Sequence, residues 1–129
     1  MLNVFPNTLM DLQEDADRTH AVPAAIRRAT SYIEDNLDRE VTVADIAAAA
    51  RLSARGLTAA FRRELGTTPM AYLRAGRLAA AHQDLLAGDP STGLTVTVIA
   101  HRWGFSNLGR FGAAYEQQFG RTPAVTLRS

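Results

Sequence analysis

Apolar positions along this chain recur three and four residues apart, the spacing of helices with one buried face. Residues 1–21 show no steady period and many acids, and read as a linker or tail. Ile26, Ala29, Ile33 and Leu37 then share a face and predict a helix over about 23–37, with Pro23 opening its first turn. Thr42 suits an N-cap, and Asp45 three residues later favours a short helix from Val43 to about Ala50. Ser53 can cap a longer helix to Leu65, with Gly66 as the left-handed stop. Thr68 caps again, and Pro69 starts a long helix, MAYLRAGRLAAAHQDLLA, to about Ala87. GDPSTG is a loop by composition.

The same signals then return. Thr95 caps a helix through about Trp103, Gly104 stops it, and Ser106 or Asn107 caps another to Phe119. Gly120 stops that helix, and Thr122-Pro123 opens a last short one. Thr42-Val43 aligns with Thr95-Val96, Ile46-Ala47 with Ile99-Ala100, and Ser53 with Ser106. One extra residue then enters, so that Leu57 matches Phe111, Phe61 matches Tyr115, Gly66 matches Gly120 and Pro69 matches Pro123. LTVTVI alternates in a way that also suits a strand, but its match to TVADIAAAA decides for helix. The unit is a short helix, a tight turn and a longer helix, written twice: the helix-turn-helix pattern. Its second helix can enter the major groove while the first crosses the phosphate backbone. The bland alternative is an all-α bundle of packed helix pairs.

Charge sharpens the picture. The formal net charge is +1, yet residues 1–40 carry eight acids against four arginines and residues 41–129 five acids against ten. All fourteen basic residues are Arg, a bias that genomic base composition can explain. The basic two-thirds is the better clue, because such a surface draws anionic partners. No apolar run approaches the ~20 residues of a membrane span. The chain has no cysteine, which excludes disulfides and thiolate metal sites and fits a cytoplasmic protein. Its three histidines are scattered, so neither a metal nor a cofactor is expected.

WGFSNLGRFGAAYEQQFGRTP and, in the first unit, DIAAAARLSARGLTAAFRRELGTTPMAYLRAGRL carry a more specific signal. Over residues 23–129 the chain resembles the C-terminal DNA-binding domain of the bacterial AraC/XylS transcription regulators. The resemblance implies an all-α fold of seven helices, with two helix-turn-helix subdomains (about 43–65 and 95–119) joined by a linker helix (about 69–87). It also implies promoter binding near RNA polymerase, commonly as an activator. Most members carry a separate effector and dimerisation domain. None fits in residues 1–22, so a truncated form is expected, with a small stand-alone regulator as the alternative.

The candidate contacts follow from side-chain chemistry. Leu57, Ala60, Phe61 and Leu65 share a core face, leaving Arg55, Thr58, Ala59 and Arg62 on the other side. Arg55 can take guanine O6 and N7 together, and Thr58 offers a hydroxyl and a methyl. Family position points to the same two residues and to Ala59. Ser53 would bond phosphate or simply cap; Arg62 and Arg63 suit phosphate, or a solvated face. In the second unit Phe105, Phe111, Tyr115 and Phe119 are expected core. Asn107 and Arg110 are the candidate base readers there, with Arg102 and Ser106 as phosphate contacts. Leu108, Gly109 and Ala113 stand where the family often has polar readers. The second unit is therefore expected to supply more phosphate grip than discrimination. Trp103 is expected to be core and His101 a surface residue. Arg77 is expected to tie the subdomains together, with Arg74 a second candidate for that role. Gly104 supplies the second turn, whereas Arg51 occupies its place in the first. Left-handed backbone there would cost on the order of 1 kcal/mol. No catalytic constellation appears. The remaining rival is a helical protein-interaction module derived from such a regulator without its own DNA specificity.

Overall fold

The computed structural model describes residues 21–129, all helix and connecting turn. Helix α1 covers 21–35 of the described residues; it is already helical at 21 and ends two residues earlier than the periodicity suggests. Pro23 thus lies inside the helix instead of opening it. Asn36 ends it by donating from Nδ2 to the Tyr32 carbonyl at 2.7 Å, and Leu37 falls in the turn beyond. There Leu37 packs onto α4 at Gly76, where an added Cβ would lie 2.9 Å from Leu37 Cδ2. The expected linker or tail at 1–22 lies almost wholly outside the described residues.

Six helices follow: α2 (Val43–Ala50), α3 (Ala54–Leu65), α4 (Pro69–Ala87), α5 (Val96–Arg102), α6 (Leu108–Phe119) and α7 (Pro123–Arg128). LTVTVI is helical from Val96, as its partner segment suggested, and the GDPSTG loop contains one 3-10 turn, Pro90–Thr92. The caps explain the boundaries. Thr42 and Asp45 exchange bonds in a capping box. Ser53, Thr68, Thr95, Asn107 and Thr122 each accept from the backbone three residues on. Gly66 and Gly120 close α3 and α6 in the left-handed region.

Two hydrophobic cores result, and α4 belongs to both. The first gathers Ile26, Ala29, Ile33, Ile46, Leu57, Phe61 and, from α4, Leu73. The second gathers Ile99, Phe111, Tyr115 and Leu127 around Leu78, Ala81 and Leu85 of the same helix. Leu65, expected on the core face, is 42% exposed, because the last turn of α3 runs past the first core. Phe105 and Phe119 are half-buried against the second core.

Most polar groups inside are partnered, as burial demands; among the described residues Arg28 Nε is buried without a partner, while its Nη2 donates to the Ala50 carbonyl at 2.9 Å. Tyr115 donates its hydroxyl proton to Thr126 Oγ1 at 2.9 Å, and Thr126 donates to the Thr122 carbonyl. His82 Nδ1 lies 2.7 Å from the same Tyr115 oxygen and shares a hydrogen bond with it. The His82 ring also stacks on Phe119 at 4.1 Å. Tyr72 packs edge-on against Phe61 and donates to Glu34. Burial first, and then that bond, raise its hydroxyl above the ordinary phenol range. The stability this adds is complete below the ordinary phenol pKa and is lost as pH rises through the folded-state value.

The two turns solve one problem differently. Arg51 closes α2 with φ 62°, the one non-glycine residue with positive φ among the described residues. Its counterpart Gly104 has φ 85°. The left-handed region costs a residue with a Cβ on the order of 1 kcal/mol. Arg51→Gly should therefore raise stability by up to about 1 kcal/mol, and Gly104→Ala should lower it by about 1–2 kcal/mol. Thermal or urea unfolding of the three proteins checks both signs.

Candidate nucleic-acid interface

The outer face of α3 is built by elimination. Leu57, Ala60 and Phe61 are buried, so a helical period places Arg55, Ala59 and Arg62 outward, and all three are exposed, as is Arg63. Thr58 is half-buried. Its hydroxyl donates to the Ala54 carbonyl at 3.0 Å, which commits the proton and leaves the oxygen lone pairs and the methyl to face outward chemistry. Ser53 spends its oxygen on the Gly56 N–H at 3.0 Å. Arg63 leans on its neighbour Glu64 at 3.5 Å, a contact too exposed to hold it.

The second unit offers less. Leu108, Gly109, Arg110 and Ala113 are exposed on α6. Asn107 uses Oδ1 to cap the Arg110 N–H at 2.9 Å, so only its amide NH₂ remains for another partner. The cap also corrects the register of the repeat. Asn107, not Ser106, is the counterpart of Ser53, and the additional residue of the second copy therefore lies in the turn. Ser106 is exposed there.

Arg102 stands apart from the other candidates. Its Nη1 donates to Asp84 Oδ2 at 2.8 Å, and Trp103 Nε1 donates to the same oxygen at 2.8 Å. The pair ties the end of α5 to α4, so the Arg102 charge is partly answered within the protein. Trp103 packs half-buried against the second core, as its place before Gly104 suggested, and His101 is exposed.

Arg77 does what its position on the linker helix suggests. Nε donates to the Leu37 carbonyl at 3.0 Å and Nη2 to the Arg39 carbonyl, both in the first subdomain. The same guanidinium lies 3.6 Å from where a Gly104 side chain would start, in the second. Gln118 adds a bond from α6 to the Ala75 carbonyl of α4. Arg74 makes no such tie among the described residues. It is exposed and lines a cleft of about 450 Å³ with Ser106, Asn107 and Arg110.

Two helix-turn-helix units with arginine-bearing outer faces, fixed to one continuous helix, define a DNA-binding protein of the helix-turn-helix class. A family described as a helix-turn-helix domain matches residues 46–129. The chain is 42% identical over 109 residues to the "Probable thc operon regulatory protein" of Rhodococcus erythropolis, covering 84% of this chain and 32% of that one. It is 37% identical over 105 residues to the "XylDLEGF operon transcriptional activator" of Pseudomonas putida, covering 81% of this chain and 32% of that one. A crystal structure titled as a probable AraC family transcriptional regulator from Rhodopseudomonas palustris superposes with a TM-score of 0.75 at 41% identity, covering 81% of this chain and 94% of that one. The chain belongs to the AraC/XylS family of transcription regulators and carries its DNA-binding domain. It spans about a third of the length of these two curated relatives. No helix among the described residues is long and apolar enough to cross a membrane.

The glycines of α6 give a test of what that helix is tuned for. A Cβ at Gly112 would meet nothing within 4 Å, so Gly112→Ala should stabilise the protein by about 1 kcal/mol through helix propensity alone. Unfolding measurements check this. A simultaneous fall in affinity for duplex would show that the bare backbone serves close approach to the ligand.

Proposed function

We propose that α3 and α6 read duplex DNA in two successive major grooves on one face, so that a single chain spans a site other helix-turn-helix proteins cover as dimers. The observation that carries this reading is the sharing of α4 by both cores. Its 19 residues, at about 1.5 Å each, extend about 28 Å, close to the ~34 Å repeat of the duplex once the widths of the flanking units are added. In this reading Arg55, Thr58 and Ala59 meet base edges in one groove, and Asn107 and Arg110 in the other. Ser53, Arg62, Arg63 and Ser106 hold phosphates, with Arg102 contributing only if it partly releases Asp84.

The two outer faces differ in kind. The first presents an arginine fork with no partner among the described residues, and a methyl; the second presents mostly apolar or bare positions around Arg110 and a half-committed Asn107. Discrimination therefore concentrates in the α3 groove. Binding beside a promoter, contact with RNA polymerase, activation of transcription and residence in the cytoplasm belong to the same proposal. The names of the thc and XylDLEGF operon relatives support the regulatory part. The DNA-binding domain in this proposal reaches at least to residue 21 rather than starting at 23, since α1 is already helical there and Val22 packs against the first core.

Selection of duplexes from a random library at moderate salt tests the reading. The expected site is about 15–20 bp with two informative patches one turn apart. Arg55→Ala should relax one patch by about 1–3 kcal/mol, whereas Arg63→Ala should weaken all sequences alike. Equal loss on every sequence for Arg55→Ala would show that Arg55 is not a reader. Affinity that ignores salt would instead favour a protein-interaction module.

A further inference from the structure

Arg74 is the one linker-helix cation that the fold does not use among the described residues. Arg77, three residues on, is spent on the Leu37 and Arg39 carbonyls. Arg74 lies one helical step away, exposed, with no hydrogen bond or ion pair among the described residues. It borders three adjoining clefts, and the residues lining them include no acid. In the largest, Arg74 of α4 and Arg110 of α6 line the same space, with Ser106 and Asn107 between them in sequence and at its wall. The neighbouring cleft at the α1–α2 turn is different: Asp38 and Glu40 stand there among its arginines. The basic character is therefore local to the space between the linker helix and the start of α6.

We infer that Arg74 and Arg110 together grip a DNA backbone phosphate on the strand running between the two major-groove segments. The inference rests on the proposed two-groove reading, since it places that strand along α4. Two guanidinium groups on separate helices can approach one phosphate from two sides, and each presents several N–H donors in a planar fork that suits its oxygens. Ser106, exposed at the wall of the cleft, can add a hydroxyl donor. A phosphate carries no base information, so Arg74 supplies affinity and register, and sequence choice stays with α3. The assignment moves Arg110 from base edge to phosphate and leaves Asn107 as the base reader of the second unit, so the use of Arg110 does not depend on the apolar positions around it.

The test uses the full chain, a duplex carrying its selected site, and a set of otherwise identical duplexes in which single central phosphates are replaced by neutral methylphosphonates. Arg74→Ala should weaken binding about tenfold on every sequence alike. It should also flatten the dependence of log affinity on log salt by about 0.9, with thermal unfolding unchanged because the side chain is exposed. Arg74→Lys should keep the salt slope. One methylphosphonate position should weaken the unaltered protein and leave Arg74→Ala indifferent. Unaltered affinity and slope in Arg74→Ala, or a methylphosphonate effect that persists in it, would overturn the inference while leaving the two-groove reading in place. Failure of the unaltered protein to bind any duplex in dilute buffer would sink the reading itself, and this inference with it.

Discussion

One helix serves two hydrophobic cores, and the rest of the molecule depends on that sharing. Leu73 is buried in the first core and Leu78, Ala81 and Leu85 in the second. A backbone that is continuously hydrogen-bonded between them cannot bend sharply without a proline, a bulge or a broken bond, and α4 has its one proline at its first position, Pro69. Each unit is thus oriented by the same rigid rod. Side-chain bonds from both units reinforce it: Arg77 to the first, Gln118, Trp103 and Arg102 from the second. Neither unit is large enough to bury much apolar surface alone, so each also depends on α4 to complete its core.

Duplication has been kept in the scaffold and relaxed on the surface. Caps, stops and core aromatics recur at matched places. The outer faces have diverged, with Arg55, Arg62 and Arg63 exposed on α3 and only Arg110 on α6. The turns have diverged as well. The first tolerates a left-handed arginine, and the second uses glycine and one additional residue before its cap. A pair of units built this way can divide labour, one supplying choice and the other grip.

Most of the fold was legible because helix ends are written in local chemistry. Thr-x-x-Asp, Ser at a cap, Gly at a stop and Thr-Pro at a start each act within four residues, so their meaning survives without knowledge of the tertiary structure. What escaped were the terms that depend on distant partners. Asp84 collects Arg102 and Trp103 from 18 and 19 residues away, and nothing in the local sequence marks it as an acceptor. The exposure of Leu65 follows from where the first core ends, not from helical period. Leu37 has the right spacing for α1 yet lies in the turn after it, because Gly76 of the linker helix leaves room for it there. The choice between Ser106 and Asn107 needed the backbone. Of the candidate contact residues, Arg55, Ala59, Arg62 and Arg110 lie exposed where helical period places them, but the period could not show that Arg102 is already engaged or that Arg74 borders the basic cleft.

The central claim is that rigid spacing lets one chain enter two adjacent turns of duplex. Inserting five base pairs between the two informative patches of the selected site rotates one patch to the opposite face of the DNA. The account predicts that affinity then falls to that of a duplex carrying a single patch, and that ten inserted base pairs do not restore it, since α4 cannot lengthen. Affinity unchanged by the five-base-pair insertion would contradict the account.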